Sequence, residues 1–385
     1  MSLDGWERRA KRVLTRALSQ VLRARGAAPP LPDLRDLRSV LLVRHHNQLG
    51  DMLLATPVFR AVRRRAPSAR IDLVAGPENH DAVRGNAHLD EVLLYDKAAY
   101  RRRPLAGKRF VERLRDARYD LVIAMTTVAF SQTGAWIAAL SGARLRLGRL
   151  GPDGDGRREA EGLFHWMLPA ADPSRHQTGV NLDVVGPLGA PTDDWRPEIF
   201  LAREEAEAGR ELLEQAIGGG DRLRIVIHPG AGKILNRWPA ERFGEVARAL
   251  VEGGHRVVTA AGPKETNLLE RLDRGAGRPL PRIPACGVRV LGGTLKEADL
   301  VLANDTGVLH LGAAVGTPVL ALFGPTDPAI WCPAAPAVRW LRAPGGDLSR
   351  LAADDVITAA LGLADALAGR GEMPSGLAAA PERAP

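Results

Sequence analysis

The 385-residue, 41.3 kDa chain exceeds one small module and is long enough for two or three domains with real cores. Its 45% hydrophobic and 25% charged residues are those of an ordinary folded protein, and 41 Gly with 28 Pro fall short of a disordered composition. Cys286 and Cys332 are too few for a disulfide framework, no signal-peptide pattern opens the chain, and no apolar run reaches the ~18 residues that cross a bilayer, so secretion and membrane spanning are not expected. The net charge of +8 comes without helix-turn-helix, zinc-finger or aromatic RNA-binding patterns, which argues against a nucleic-acid partner.

Part of that charge is local. Residues 5–26 carry Trp6, Ala10, Val13, Leu14, Ala17, Leu18, Val21 and Leu22 at helical steps, with Arg8, Arg9, Lys11, Arg12, Arg16, Arg23 and Arg25 on the other faces. The pattern predicts a basic amphipathic helix and linker over 1–32. It has two readings: a helix lying in an anionic membrane interface, or one packing its stripe on the body of the protein.

Beyond Pro32, short apolar runs alternate with amphipathic segments, which predicts parallel sheets covered by helices. Strands are expected at Val40–Arg44, Ile71–Ala75, Glu91–Tyr95, Leu121–Met125 and Leu145–Leu147, with a helix from Asp51 to Arg65. A second series places strands at Leu223–Ile227, Arg256–Ala260, Val288–Leu291, Leu300–Ala303 and Val319–Phe323, and helices at Pro239–Glu252 and Thr306–Ala314. The predicted domains are therefore 38–190 and 191–350, followed by a helix over 351–368 and a disordered tail over 369–385. Open parallel sheets bind ligands at the carboxyl ends of their strands, so the loops there hold the candidate chemistry.

The first such loop is L-G-D-M-L-L-A-T-P, residues 49–57. Asp51 at its helix start is either a first-turn carboxylate stabilising the helix or a general base for an acceptor hydroxyl. The second is I-H-P-G-A-G-K-I-L-N-R-W-P, residues 227–239, where Gly230 and Gly232 let amides approach an anion beside Lys233 and Arg237. It lacks the spacing of a P-loop, and a structural turn is the competing reading. Trp238 and Pro239 are expected to fix the next helix rather than to stack a ligand. In N-D-T-G-V-L-H, residues 304–310, Asp305, Thr306 and Gly307 open a helix whose amides suit a diphosphate, and His310 lies one turn on, as a ligand group or a core histidine. In A-A-G-P-K-E, residues 260–265, Glu265 is a candidate for ribose hydroxyls. Asp153-Gly154-Asp155 reads as a solvated turn. Arg101, Arg102, Arg103, Lys108 and Arg109 form either a solvated basic loop or a site for a phosphorylated or carboxylated acceptor.

Taken in order over residues 38–328, these segments resemble glycosyltransferase family 9, the ADP-heptose:lipopolysaccharide heptosyltransferases and their relatives. The resemblance implies an α/β GT-B fold: two Rossmann-like doubly wound domains facing across a cleft, acceptor on the first and nucleotide-sugar on the second. It also implies an inverting transfer with no required metal or cofactor, an ADP-linked nucleotide-sugar being the donor co-substrate. It assigns the base to Asp51, the ribose to Glu265, and the diphosphate and its sugar to Asp305, Thr306, Gly307 and His310. Two departures stand out. Asn236 occupies the place where the family often carries a Lys, so Lys233 or Arg237 has to supply the charge, and T-L-K-E-A-D-L after Gly293 is short for the helix leading into N-D-T-G. The implied function is sugar transfer, with heptose the leading donor sugar, to a lipopolysaccharide-core or related envelope glycan at the cytoplasmic side of a membrane. A GT-B-like nucleotide-sugar epimerase and a catalytically silent nucleotide-binding protein are the alternatives.

Overall fold

The computed structural model describes residues 28–45, 48–157, 162–369, 374 and 377–379. The expected N-terminal helix over 5–26 therefore lies outside the described residues, and of the 1–32 segment only 28–32 is described. The chain divides into two compact units between Asp193 and Asp194, against the expected boundary at 190 and 191.

Unit 1 runs β1 (Ser39–Arg44), α1 (Leu49–Leu53), α2 (Thr56–Arg65), β2 (Arg70–Ala75), α3 (Pro77–Val83), β3 (Glu91–Leu94), α4 (Lys97–Arg102), α5 (Pro104–Asp116), β4 (Leu121–Ala124), α6 (Gln132–Leu140), β5 (Leu145–Arg149), β6 (Trp166–Leu168) and α7 (Gln177–Leu182). Its sheet has the order β3-β2-β1-β4-β5-β6 and every pairing is parallel. The central strands β1 and β4 are buried throughout, as uninterrupted apolar runs covered on both faces should be. The helix expected from Asp51 to Arg65 is instead two. Pro57 has no N–H to donate to Leu53 O; the Thr56 hydroxyl takes that carbonyl at 2.8 Å, and α2 starts afresh with Pro57 in its first turn.

Unit 2 runs α8 (Arg203–Ile217), β7 (Arg224–His228), α9 (Ala240–Glu252), β8 (Arg256–Thr259), α10 (Thr266–Ala276), α11 (Val288–Lys296), β9 (Leu300–Asn304), α12 (Gly307–Ala314), β10 (Val319–Phe323), α13 (Pro328–Trp331), β11 (Val338–Arg342), α14 (Ala353–Leu367) and β12 (Ala378–Ala379). Its sheet order is β12-β11-β10-β9-β7-β8, parallel except for β12. Two expectations fail here. Val288–Leu291 is the start of helix α11 rather than a strand, because its apolar residues continue to Leu295 at helical spacing. Gly293 lets α11 touch α8, where a Cβ would lie 2.6 Å from Glu205 O, and the buried Arg289 guanidinium binds Glu205 at 2.7 Å. Beyond β8, among the described residues, the sheet carries a parallel bridge between Thr259 and Arg282. The segment 369–385, expected to be disordered, pairs Ala378 and Ala379 with Trp340 and Arg339 of β11.

Each unit has one reversal of strand order, between β1 and β4 and between β7 and β9. A crevice opens at such a reversal, outside the carboxyl ends of the strands, because successive crossover helices pack on opposite faces. Among the described residues no helix is long and apolar enough to cross a membrane.

Candidate active site

In unit 2 both glycine motifs emerge at the reversal, one from β7 and one from β9. Asn304, fully buried at the end of β9, ties them together: its amide donates to Pro229 O at 2.9 Å and its oxygen accepts the Trp238 N–H at 3.0 Å. Trp238 is buried, donates its indole N–H to Leu351 O and meets Phe243 edge-on at 4.9 Å. It anchors the start of α9, as expected. Asn304 is invisible as a site residue from sequence, where it reads as the polar end of a strand.

The turn between these anchors sorts its polar groups. Asn236 is buried and donates to Asp305 Oδ2 at 3.2 Å. His310 Nε2 lies 3.9 Å from Asp305 Oδ1. Burial raises the Asp305 pKa, while the Thr326 hydroxyl and the Lys233 charge pull it down. Lys233 is exposed, yet its field reaches Asp305. Arg237 is committed elsewhere, donating to Ala231 O at 2.7 Å and to Glu265 Oε1 at 3.3 Å. Glu265, at the mouth of α10, also accepts the Gly262 N–H at 3.1 Å, and its carboxyl group lies flat against Gly230. Gly232 is exposed with open space where a Cβ would point. Thr306 caps α12 in extended conformation and leaves the Gly307 end half-open. Buried Cys332 lies near Asp305, and burial pushes its thiol pKa up; Cys286 is exposed. Unit 2 thus brings together Gly230, Lys233, Asn236, Arg237, Glu265, Asp305 and His310, the first four from the β7 turn.

In unit 1, Asp51 lies half-buried in the first turn of α1 at the β1–β4 reversal. It is positioned by Arg44, the charged end of the apolar run of β1. The buried Arg44 guanidinium donates to Asp51 O at 2.9 Å and to Asn181 Oδ1 at 2.7 Å; Asn181 in turn donates to Leu54 O at 3.2 Å. Burial brings the Arg44 pKa down to about 10, against the opposing pull of Asp51. Arg101 and Arg102 end α4, Arg103 links it to α5, and Lys108 and Arg109 lie on α5, which with α4 follows the edge strand β3; all five are exposed, and Lys108 pairs with Glu112 at 3.6 Å. Their helices are held by an aromatic chain: Tyr95 meets Tyr100 at 5.5 Å, Phe110 at 5.6 Å and His45, the residue after β1, at 5.5 Å. Asp153 and Asp155 lie in an exposed turn.

Two successive doubly wound units, each with candidate side chains at its reversal, are the α/β architecture of the GT-B class. A family match over residues 108–355 makes the assignment specific: the chain belongs to glycosyltransferase family 9 (heptosyltransferase). Lipopolysaccharide heptosyltransferase 3 of Escherichia coli K12 is 29% identical over 305 residues, which cover 76% of this chain and 83% of that one. A family 9 glycosyl transferase from Veillonella parvula matches with TM-score 0.74 and 22% identity, covering 88% of this chain and 99% of its own. The E. coli heptosyltransferase WaaC with ADP matches with TM-score 0.67 and 21% identity, covering 83% and 98%. The chain is therefore a glycosyltransferase, and the epimerase and silent-binder readings give way to it.

Proposed function

We propose that this enzyme transfers heptose from ADP-heptose to a lipopolysaccharide-core or related envelope glycan, inverting the anomeric carbon. Family membership supports the reaction, and the heptosyltransferase relatives support the sugar. The observation that carries the site is the gathering of Lys233, Asn236, Asp305 and His310 at the strand-order reversal of unit 2.

In this reading the donor diphosphate sits on the Gly230–Gly232 turn and the Thr306–Gly307 helix start. Glu265 holds the ribose, and Asp305 and His310 border the sugar. As the glycosidic oxygen departs, negative charge grows on the diphosphate. Lys233 receives it, because Arg237 is already engaged with Ala231 O and Glu265 whereas Lys233 is exposed and bears on Asp305. A preorganised donor aimed at such charge is worth ~3 to 4 kcal/mol, so the reaction needs no divalent ion for this step. Asp51, aligned by Arg44, takes the proton of the attacking acceptor hydroxyl. Arg101, Arg102, Arg103, Lys108 and Arg109 offer an exposed cationic surface to an acceptor bearing phosphate or carboxylate. With the basic segment 1–32, the same charge suits an enzyme resting on the cytoplasmic face of a membrane.

The test is Asp51→Asn. Transfer should fall by about 10²- to 10⁴-fold, the usual worth of a positioned base, with ADP affinity held within a few-fold. Turnover near that of the wild type would remove Asp51 from the role.

A further inference from the structure

His228 closes β7 and is buried, and the roles above leave it unused. Its Nδ1 lies 2.9 Å from Ala260 O. A carbonyl oxygen only accepts, so in the neutral ring the proton resides on Nδ1 and Nε2 presents a lone pair. Burial lowers the His228 pKa, which favours that neutral ring.

Nε2 faces Glu265 Oε2 at 4.0 Å, outside direct hydrogen-bond reach. Glu265 is itself an acceptor, fixed by the Gly262 N–H on one oxygen and by Arg237 on the other. Two acceptors from different strand ends of unit 2 thus converge on one point. A metal ion there would be opposed by the Arg237 guanidinium. Two hydroxyl donors on adjacent carbons suit the arrangement, one for each acceptor.

We propose that His228 reads the sugar of the donor nucleotide: Nε2 accepts one hydroxyl of the ribose cis-diol and Glu265 the other, so the site selects ribonucleotides over deoxyribonucleotides. This rests on the reading of unit 2 as the nucleotide site. It adds to that reading a residue and a specificity.

Calorimetric titration of the full chain with ADP, 2′-deoxy-ADP and 3′-deoxy-ADP tests it. Wild type should bind each deoxy form roughly tenfold or more weakly than ADP, since each leaves a buried acceptor without its donor. His228→Asn keeps an N–H for Ala260 O but has no acceptor where Nε2 was; it should erase the penalty for one deoxy form and keep the other. His228→Gln, whose amide oxygen reaches the Nε2 position, should restore both. Equal wild-type affinity for all three nucleotides would overturn the inference, and that measurement requires no variant. Two intact penalties in His228→Asn would overturn it as well. Absence of any ADP binding to wild type would instead overturn the nucleotide reading of unit 2, and His228's role with it.

Discussion

Gly230→Ala is the sharpest probe of the ribose end of the site. The added Cβ would lie 2.5 Å from the Glu265 carboxyl carbon, so the carboxylate has to retreat by roughly 1 Å to reach ordinary van der Waals distance. Gly230 does not have positive φ, so its backbone accepts alanine and the fold should be little affected. What is lost is the charge-assisted bond from the Gly262 N–H at 3.1 Å, with the Arg237 contact at 3.3 Å loosened. The ribose bond that a displaced carboxylate no longer makes is worth about 1.5–3 kcal/mol, which predicts ADP affinity about tenfold to a hundredfold weaker, and loss of the Gly262 bond lowers the melting temperature as well. The double mutant Gly230→Ala/Glu265→Ala sharpens the test. With the carboxylate gone, the new methyl group has nothing to displace, so the two effects should not add. Calorimetry on the four proteins of the cycle measures the coupling. Full additivity, or wild-type affinity in Gly230→Ala, would refute the claim that Gly230 is glycine because Glu265 packs on it.

Lys233→Ala should lower kcat by about tenfold to a hundredfold with little change in stability, whereas Arg237→Ala should chiefly weaken nucleotide binding through Glu265; steady-state kinetics beside ADP titration separates the two. Arg44→Met strands the buried acceptors Asp51 O and Asn181 Oδ1 and should destabilise unit 1 by about 2–4 kcal/mol, read by denaturant unfolding. Asp305 has a raised folded pKa, so its stability contribution is complete below the unfolded carboxylate value and is lost as pH rises through the folded one. Asp305→Asn should therefore gain stability relative to wild type as pH is raised from the acid range to neutrality, while losing transfer. A stability difference that stays flat with pH in thermal melts would contradict that assignment.

The sequence reveals what short-range chemistry dictates. V-L-L-V before Arg44 and V-L-A-L-F before Gly324 admit little but central parallel strands, and their loops fall at the reversals because a strand followed by its helix can pack in few ways. The edges read less well. Trp166–Leu168 is three half-buried residues, and β11 alternates charge with apolar bulk, so neither shows the continuous run of its buried neighbours. Val288–Leu291 misleads for another reason: its two following glycines look like strand punctuation, but Gly293 serves the contact of α11 with α8.

The site divides in the same way. Gly230, Glu265 and Asp305 are legible as candidates because the anion and hydroxyl binding proposed for them calls for those residue types beside a strand end. Arg44 and Asn181 are 137 positions apart, and their bond exists only once α7 has packed beside β1. Asn236 shows why geometry has to finish the argument. A lysine at this buried position would place an ammonium directly on Asp305; the amide supplies a hydrogen bond and no charge, and burial is then free to raise the Asp305 pKa. In the proposed reading the compensating cation is three residues earlier, on the exposed arm of the same turn, where Lys233 keeps its hydration until a diphosphate arrives. A charge held in solvent costs the resting protein far less than one buried beside an aspartate, and it remains available for the state in which negative charge develops.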